Sequence, residues 1–187
     1  MRGDWVILYH GTNILIGEID LTRSRNRVDF GRGFYLTDKL GTAYSWAIRK
    51  VELEGEGIPT VLSYKINPEV YTLFGLRLPN NPGDEWLEFI CSNRRMSPST
   101  LVVKEPRHDY NWSAGPIADD KVVDVVAEYM RDEITAEMAV LRLRALPQTY
   151  QFCLHTSAAV SFVDDVNVVY KQLKRGRWTQ NWIKRRK

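Results

Sequence analysis

The chain has 187 residues, of which 44% are hydrophobic and 26% charged, so it fits one ordinary globular domain and excludes a disordered tail or a large multidomain machine. Its formal charge of +3 is unevenly spread, because residues 171–187 contain eight lysines and arginines and no acid. Residues 1–170 therefore carry 18 basic and 23 acidic side chains, which predicts an acidic body of formal charge −5 with a basic end.

Taken in chain order, hydrophobic periodicity and turn residues predict short strands and helices without a regular βαβ rhythm. We expect strands at 5–9, 33–37, 60–66 and 151–154, and an extended segment at 110–117. We expect helices over 42–51, after Asp84, from Asp119 and Asp120 to about Met130, over 135–146 and over 157–162. This mixture predicts an α+β fold with a largely antiparallel sheet, while residues 166–187 stay ambiguous.

The sequence contains no internal repeat and no linker, so we predict a single domain over residues 1–170 with a basic extension at 171–187. Trp178 and Trp182 lie among the charges of this extension. One interpretation is contact with nucleic acid, with basic groups on phosphates and tryptophan stacked on unpaired bases. A packed helix with a solvated basic rim and a docking site for an acidic partner such as an antitoxin remain alternatives.

Cysteine content and hydropathy suggest a cytoplasmic protein. Cys91 and Cys153, the only cysteines, lie in apolar stretches and are predicted to be reduced core thiols. We find no basic and apolar leader and no apolar run long enough to span a bilayer, so neither conventional secretion nor membrane insertion is expected. Histidines and cysteines do not cluster in the pattern of a zinc site, and we predict no metal.

Three segments combine a strand end, a polar side chain and glycine, as binding sites on rigid scaffolds often do. They are the His10-Gly11-Thr12 motif, residues 31–37, and Gln151 at the head of a strand. Tyr35 and Trp46 offer flat apolar faces for a planar ring. Together these segments predict a pocket for a heteroaromatic ligand. Each residue alone also fits a structural role, such as a core aromatic or a satisfied histidine.

The order of these motifs resembles the ADP-ribosyltransferase superfamily, in its diphtheria-toxin and poly-ADP-ribose-polymerase branch. The resemblance rests on Tyr9-His10-Gly11-Thr12, on Phe30-Gly31-Arg32-Gly33-Phe34-Tyr35-Leu36-Thr37, and on Ala43 and Trp46 after them. A poorly characterised, mainly bacterial family within that superfamily is more closely similar. Its motifs correspond here to Ser24-Arg25, Asp29-Phe30-Gly31-Arg32-Gly33-Phe34-Tyr35, Gly115-Pro116-Ile117-Ala118-Asp119-Asp120 and Gln151-Phe152-Cys153-Leu154-His155-Thr156.

The resemblance implies a split antiparallel β core with an NAD pocket. It implies that His10 binds a ribose hydroxyl, that the Gly11 backbone holds the nicotinamide carboxamide, and that Trp46 stacks on nicotinamide. Arginine suits phosphate oxygens, so Arg25 and Arg32 are candidates for the pyrophosphate. The catalytic candidates are His10, Tyr35 and Gln151, and the NAD-binding candidates are Gly11, Thr12, Arg25, Gly33, Phe34 and Trp46.

The sequence departs from the active pattern of the superfamily at Gln151, where many such transferases have glutamate. A neutral amide can orient a ribose hydroxyl, but it lacks the negative charge that stabilises developing positive charge. Glutamine looks usual in the narrower family, so catalysis remains the leading hypothesis. Asp119 or Asp120 could supply a carboxylate instead, although either also fits a helix cap.

The leading hypothesis is a toxin-like mono-ADP-ribosyltransferase that passes ADP-ribose from NAD to nucleic acid or protein, as an effector of a toxin–antitoxin or phage-defence system. A second hypothesis is a non-catalytic module that keeps the fold and binds NAD, ADP-ribose or RNA. A third is a small RNA-cleaving toxin that uses His10 and His155 as acid and base, since both can titrate near neutral pH.

Overall fold

The computed structural model describes residues 6–94, 109–117, 120–146, 149–174 and 177–184, and for 117, 120–121, 165–174 and 177–184 it describes the backbone. Within these ranges the chain forms eight strands and five α-helices. The strands pair in a mostly antiparallel manner, and the predicted α+β class is confirmed.

The chain divides into two compact units, each built from separate stretches of sequence. The first unit comprises Met1–Ile19, Tyr35–Leu73 and Ser157–Lys187, and the second comprises Asp20–Phe34 and Phe74–Thr156. Because each unit is interrupted in sequence by the other, no single linker divides them. This interleaving explains why the sequence contains no recognisable boundary.

The first unit is built on a sheet in which the strand order is β2-β1-β3-β7-β8. Its strands are β1 (Val6–Thr12), β2 (Phe34–Thr37, of which Phe34 is counted in the second unit), β3 (Thr60–Ile66), β7 (Val163–Lys174) and β8 (Arg177–Lys184). All its neighbouring strands run antiparallel, with Tyr9 opposite Thr37 and His10 opposite Leu62. The central strand β3 is buried along nearly its whole length, and it forms the middle of this unit's core.

Helix α1 (Leu40–Glu54) packs on this sheet through small residues. Ala43 and Ala47 are fully buried and form a cluster with Val61 of β3. The helix ends at Gly55, whose φ of 70° is the left-handed conformation typical of a glycine helix cap. The unit also contains a 3₁₀ helix (Pro68–Thr72) and the short helix α5 (Ser157–Val160).

The second unit combines three strands with three helices. Strand β5 (Trp112–Ile117) pairs in parallel with β4 (Gly75–Arg77) and antiparallel with β6 (Thr149–Leu154). Helices α2 (Asp84–Arg94), α3 (Asp120–Met130) and α4 (Ala136–Ala145) pack against one another. A 3₁₀ helix (Leu21–Arg23) begins the segment that precedes β2.

The C-terminal segment differs from one of its predicted alternatives. Lys171 lies inside β7, and Trp178 and Trp182 lie in β8. The backbone around the two tryptophans is therefore a strand, whereas their spacing of four also allowed a helix. A spacing of four places residues on one face both of a helix and of a strand, so it could not distinguish the two. The register of β7 with β8 runs from Asn167 opposite Lys184 to Lys174 opposite Arg177.

Both cysteines are buried and unbonded to each other, as predicted. Burial raises the pKa of the Cys91 thiol to about 12, which keeps it protonated at neutral pH. Among the described residues, no helix has the length and apolar character needed to traverse a bilayer.

Candidate functional site

His10 lies inside β1 rather than at its end, since the strand continues to Thr12. Side chains alternate along a strand, so His10 shares a face with Leu8 and Thr12, both of which are buried. As a whole residue, His10 is half-buried. The strand therefore holds His10 against a buried surface.

The His10 ring is held by a backbone carbonyl of the segment 31–37. Its Nδ1 atom lies 2.7 Å from the carbonyl oxygen of Tyr35, 25 residues further along the chain. Desolvation lowers the pKa of His10 to about 4; the Tyr35 carbonyl opposes this shift, and the nearby Lys50 charge adds a smaller lowering. At neutral pH the ring is therefore uncharged. Because a carbonyl oxygen only accepts, Nδ1 carries the proton and Nε2 is the accepting nitrogen.

Gly11 has a structural reason of its own to be glycine. A Cβ at this position would lie 2.9 Å from the backbone nitrogen of Ala47 and would overlap the carbonyl oxygen of Ala43. The two alanines face β1 from α1, so the helix backbone approaches the strand where Gly11 has no side chain. Close helix packing thus accounts for this glycine even without a ligand.

The end of the first motif is held by polar contacts to the C-terminus of α1. Thr12 is fully buried, and Asn13 is 3% exposed. The Asn13 Nδ2 atom donates to Glu54 Oε2 at 2.8 Å and to the carbonyl oxygen of Glu56 at 3.2 Å. Asn13 was not among the predicted site residues. Its position directly after His10-Gly11-Thr12 was the only sequence signal that could have indicated it.

Trp46 is at the edge of the buried face of α1. The predicted helix over 42–51 places Trp46 near the face of Ala43 and Ala47, but its side chain is 41% exposed while the two alanines are buried. At 100° per residue, Trp46 lies 60° from Ala43 and 100° from Ala47 around the helix, which explains the difference. The guanidinium carbon of Arg49 lies 5.5 Å from the Trp46 ring centroid, a cation–π geometry.

In the second unit, Ser24 closes the segment before β2 into a loop. Its Oγ accepts from the Gly33 backbone nitrogen at 2.6 Å and donates to the Gly33 carbonyl at 3.0 Å. A Cβ on Gly33 would overlap Cys153 Sγ and lie 2.7 Å from the Leu154 carbonyl oxygen. Gly33 is thus clasped by Ser24 and packed against β6. The adjacent Phe34 is buried and Arg25 is exposed.

His155 contacts polar partners of the second unit at both ring nitrogens. Nδ1 lies 2.7 Å from the carbonyl oxygen of Arg32, and Nε2 lies 2.8 Å from Ser113 Oγ. Ser113 is fully buried. These contacts give His155 a role in fixing the segment that ends at Gly33, and they do not favour the hypothesis of an RNA-cleaving acid and base pair.

Gln151 is 8% exposed and lies opposite Gly115 in the pairing of β5 with β6. It is the third residue of β6 rather than its first, because the strand begins at Thr149. Asp120 begins α3, while Asp119 lies outside the described residues. The proposal that either aspartate supplies a carboxylate therefore stays a prediction.

The predicted site residues are distributed over both units. The first unit contains five of them: His10, Gly11, Thr12, Tyr35 and Trp46. The second contains four: Arg25, Gly33, Phe34 and Gln151. The His10 ring contacts the Tyr35 backbone directly. This contact joins the His10-Gly11-Thr12 motif to the segment 31–37. No group of three or more metal-ligating side chains occurs in the described part of the chain.

Residues 6–164 match a family described as a protein of unknown function (DUF3990). The match extends from the first residue of β1 into β7, and the chain belongs to this family. No curated protein and no solved structure matches the chain.

Proposed function

We propose that the protein is an NAD-dependent mono-ADP-ribosyltransferase that transfers ADP-ribose to a macromolecule, either nucleic acid or protein. The observation that carries the proposal is the bond from His10 Nδ1 to the Tyr35 carbonyl. It joins the His-Gly-Thr motif to the Gly-x-Gly-Phe-Tyr segment, whose order in the sequence resembles the ADP-ribosyltransferase superfamily. The mostly antiparallel α+β fold is compatible with the split β core of that superfamily.

The protonation state of His10 suits the binding of a sugar hydroxyl. Its pKa of about 4 keeps the ring neutral at physiological pH, and the Tyr35 carbonyl fixes the proton on Nδ1. The Nε2 lone pair is then the acceptor to which a ribose hydroxyl of NAD would donate. A charged imidazolium would present a donor there and would repel a cation-like transition state, so the neutral ring suits this chemistry better.

The proposed reaction breaks the bond between C1′ of the nicotinamide ribose and the ring nitrogen of nicotinamide. The bonding electrons leave with nicotinamide, which neutralises its ring charge. A lone pair of the acceptor forms the new bond to C1′, and the acceptor's proton passes to solvent. Positive charge develops on the ribose as the leaving group departs, so catalysis here means orienting the sugar and stabilising that charge.

The other roles come from the resemblance. Gln151 would orient a hydroxyl of the nicotinamide ribose. The rings of Tyr35 and Trp46 would lie against the nicotinamide, and Arg25 would contact the pyrophosphate. The exposed guanidinium of Arg25 suits phosphate, whereas Gln151 supplies an amide with no charge. We expect slower transfer than in an enzyme with a carboxylate at position 151. An antitoxin remains a candidate partner.

The test uses NAD labelled in its adenylate part, with total cellular protein and total RNA as acceptors in separate reactions. Wild type should transfer label covalently to one of the two acceptors. Loss of one hydrogen bond costs about 1–3 kcal/mol, so His10→Gln should slow transfer by roughly 5-fold to 150-fold. The control Thr72→Ala removes an exposed hydroxyl that bonds the Glu69 carbonyl in the same unit, and it should transfer like wild type.

Each other outcome has a distinct meaning. A folded wild type that binds NAD but never releases nicotinamide would be the non-catalytic module. A folded wild type that neither binds NAD nor transfers label would contradict the proposal. Equal slowing in His10→Gln and Thr72→Ala would remove the assigned role of His10.

A further inference from the structure

The segment 20–33, here called the arginine loop, concentrates positive charge on the second unit. It contains four arginines, and all of them are exposed: Arg23, Arg25, Arg27 and Arg32. The small polar residues Thr22, Ser24 and Asn26 alternate with the first three arginines in the sequence. This local positive charge stands out because residues 1–170 as a whole have a formal charge of −5.

The loop's two acids offset only part of this charge. Asp29 pairs with Arg94 of α2, whose Nε lies 2.7 Å from Asp29 Oδ1, and both side chains are mostly buried. Asp20 caps the 3₁₀ helix by accepting from the Thr22 backbone nitrogen at 2.9 Å and from the Thr22 hydroxyl at 2.6 Å. The loop and Arg94 together hold five arginines and two aspartates, which is a formal charge of +3.

The loop is held in one conformation by contacts along its length. Ser24 clasps Gly33, and Arg32 donates to the Thr22 carbonyl at 3.2 Å. Asn93 of α2 donates to the Asp29 carbonyl at 3.0 Å, and Phe30 is buried. Arginines on a fixed backbone lose less conformational entropy when they bind than arginines on a mobile tail do.

Arg27 occupies a backbone conformation that arginine does not favour. Its φ is 60°, in the left-handed region that costs a non-glycine residue roughly 1 kcal/mol. Glycine or asparagine would adopt this conformation more easily. The backbone conformation therefore does not explain why this residue is an arginine. A role for its exposed charge in binding an anion would explain it.

We propose that the arginine loop is a binding surface for the phosphodiester backbone of nucleic acid. Four guanidinium groups over ten residues exceed what one pyrophosphate would engage, and arginine pairs closely with phosphate oxygens. The loop offers no exposed aromatic side chain for stacking on bases, so contact through phosphates and little sequence preference are expected. This surface does not depend on transferase activity. If that activity exists, the loop favours nucleic acid as its acceptor.

The test measures binding of the full chain to fluorescently labelled 20-mers of RNA and of single-stranded DNA across a salt series. The loop variant is R23Q/R27Q, which leaves Arg25 in place. The matched control is R131Q/R142Q, which removes the same charge from two exposed arginines paired with Glu133 and Glu128. Thermal unfolding of each variant establishes that it is folded, and R23K/R27K keeps the charge with a different side chain.

Wild type should bind both nucleic acids, with affinity falling steeply as salt rises. R23Q/R27Q should bind roughly tenfold more weakly at low salt, and its slope of log affinity against log salt should be about 1.5 shallower. R131Q/R142Q should bind like wild type, and R23K/R27K should retain most of the salt slope. If RNA alone binds, the surface serves RNA, and if DNA alone binds, it serves DNA.

Four results would overturn the proposal. Wild type could fail to bind either nucleic acid, or R23Q/R27Q could bind as tightly as wild type, which would place binding in the basic C-terminal segment. The control could weaken binding as much as the loop variant, which would show an effect of net charge alone. Finally, poly-glutamate could bind as tightly as the oligonucleotides, which would indicate an acidic polypeptide as the partner.

Discussion

The imidazole of His10 donates its Nδ1 proton to the backbone carbonyl of Tyr35 across 2.7 Å. This contact fixes the tautomer of a histidine whose pKa burial has lowered to about 4. It also means that substitution of the Tyr35 side chain leaves the bond possible, because the acceptor is a backbone atom. Side-chain variants at the two positions therefore report on different properties of the proposed site.

The lowered pKa of His10 predicts a specific dependence of stability on pH. The unfolded chain binds this proton near pH 6.5 and the folded chain near pH 4, so between these values the unfolded state holds more protons. The contribution is fully present above pH 6.5 and is lost as the pH falls toward 4. Between pH 7.5 and 4.5 we expect a loss of about 2–3 kcal/mol from this group.

The check is urea unfolding of wild type and His10→Gln at both pH values. Carboxyl groups titrate in both proteins, so the difference between them isolates the histidine. The wild type should lose more stability on acidification than the variant by the amount given above. Parallel losses in the two proteins would show that His10 titrates normally in the folded state.

Gly33→Ala should destabilise the protein by at least about 2 kcal/mol, because the added methyl group would overlap Cys153 Sγ and crowd the Leu154 carbonyl. The matched control is Gly41→Ala in the first turn of α1, where a Cβ would meet nothing within 4 Å. Since alanine favours helix over glycine, this control should stabilise the protein by roughly 0.5 kcal/mol. Thermal unfolding measures both, and similar melting temperatures for the two variants would refute the packing at Gly33.

Asp29→Asn should cost about 3 kcal/mol, because it leaves the mostly buried guanidinium of Arg94 without its charged partner. Glu128→Gln breaks the exposed pair with Arg142 and should cost less than about 1 kcal/mol. Chemical denaturation of the two variants gives the comparison. A double-mutant cycle with Arg94→Gln should show strong coupling to Asp29, and additive costs would mean that the pair does not anchor the arginine loop.

Gln151 variants test the third position of the proposed transferase. Gln151→Ala should slow label transfer roughly tenfold or more through loss of a hydrogen bond to the sugar, with NAD binding less affected. Gln151→Glu restores the carboxylate common in the superfamily and should raise the rate of the chemical step if the side chain faces the ribose. If transfer survives Gln151→Ala but is lost in His10→Ala and Tyr35→Ala, the third residue has been misplaced, and Asp120 is the next to test.

Much of the fold could be predicted because local signals agree with it. Strand β3 has the predicted bounds, 60–66, and prolines at 59 and 68 flank it on both sides. Helix α4 begins after Thr135, whose hydroxyl accepts from the Met138 backbone nitrogen as an N-cap. Such signals act over a few residues, so the sequence contains them directly.

The parts of the fold and of the site that could not be predicted depend on contacts between residues far apart in the sequence. Three contacts join residues that are 9, 123 and 65 positions apart. They are the hydrogen bond from Ser24 to Gly33, the contact of His155 with Arg32, and the ion pair of Asp29 with Arg94. Each involves a common surface residue type with no local pattern that marks it. The order of motifs could indicate which segments matter, but it could not show which side chains hold them.

Transferase activity is tested most directly by the ratio of nicotinamide released to adenylate label attached covalently in one reaction. A transferase should give nearly one attached label for each nicotinamide, with both products slowed together in His10→Gln. Nicotinamide release without attached label would show hydrolysis of NAD instead of transfer. If the folded protein yields neither product with RNA, DNA or protein present, it is not an ADP-ribosyltransferase.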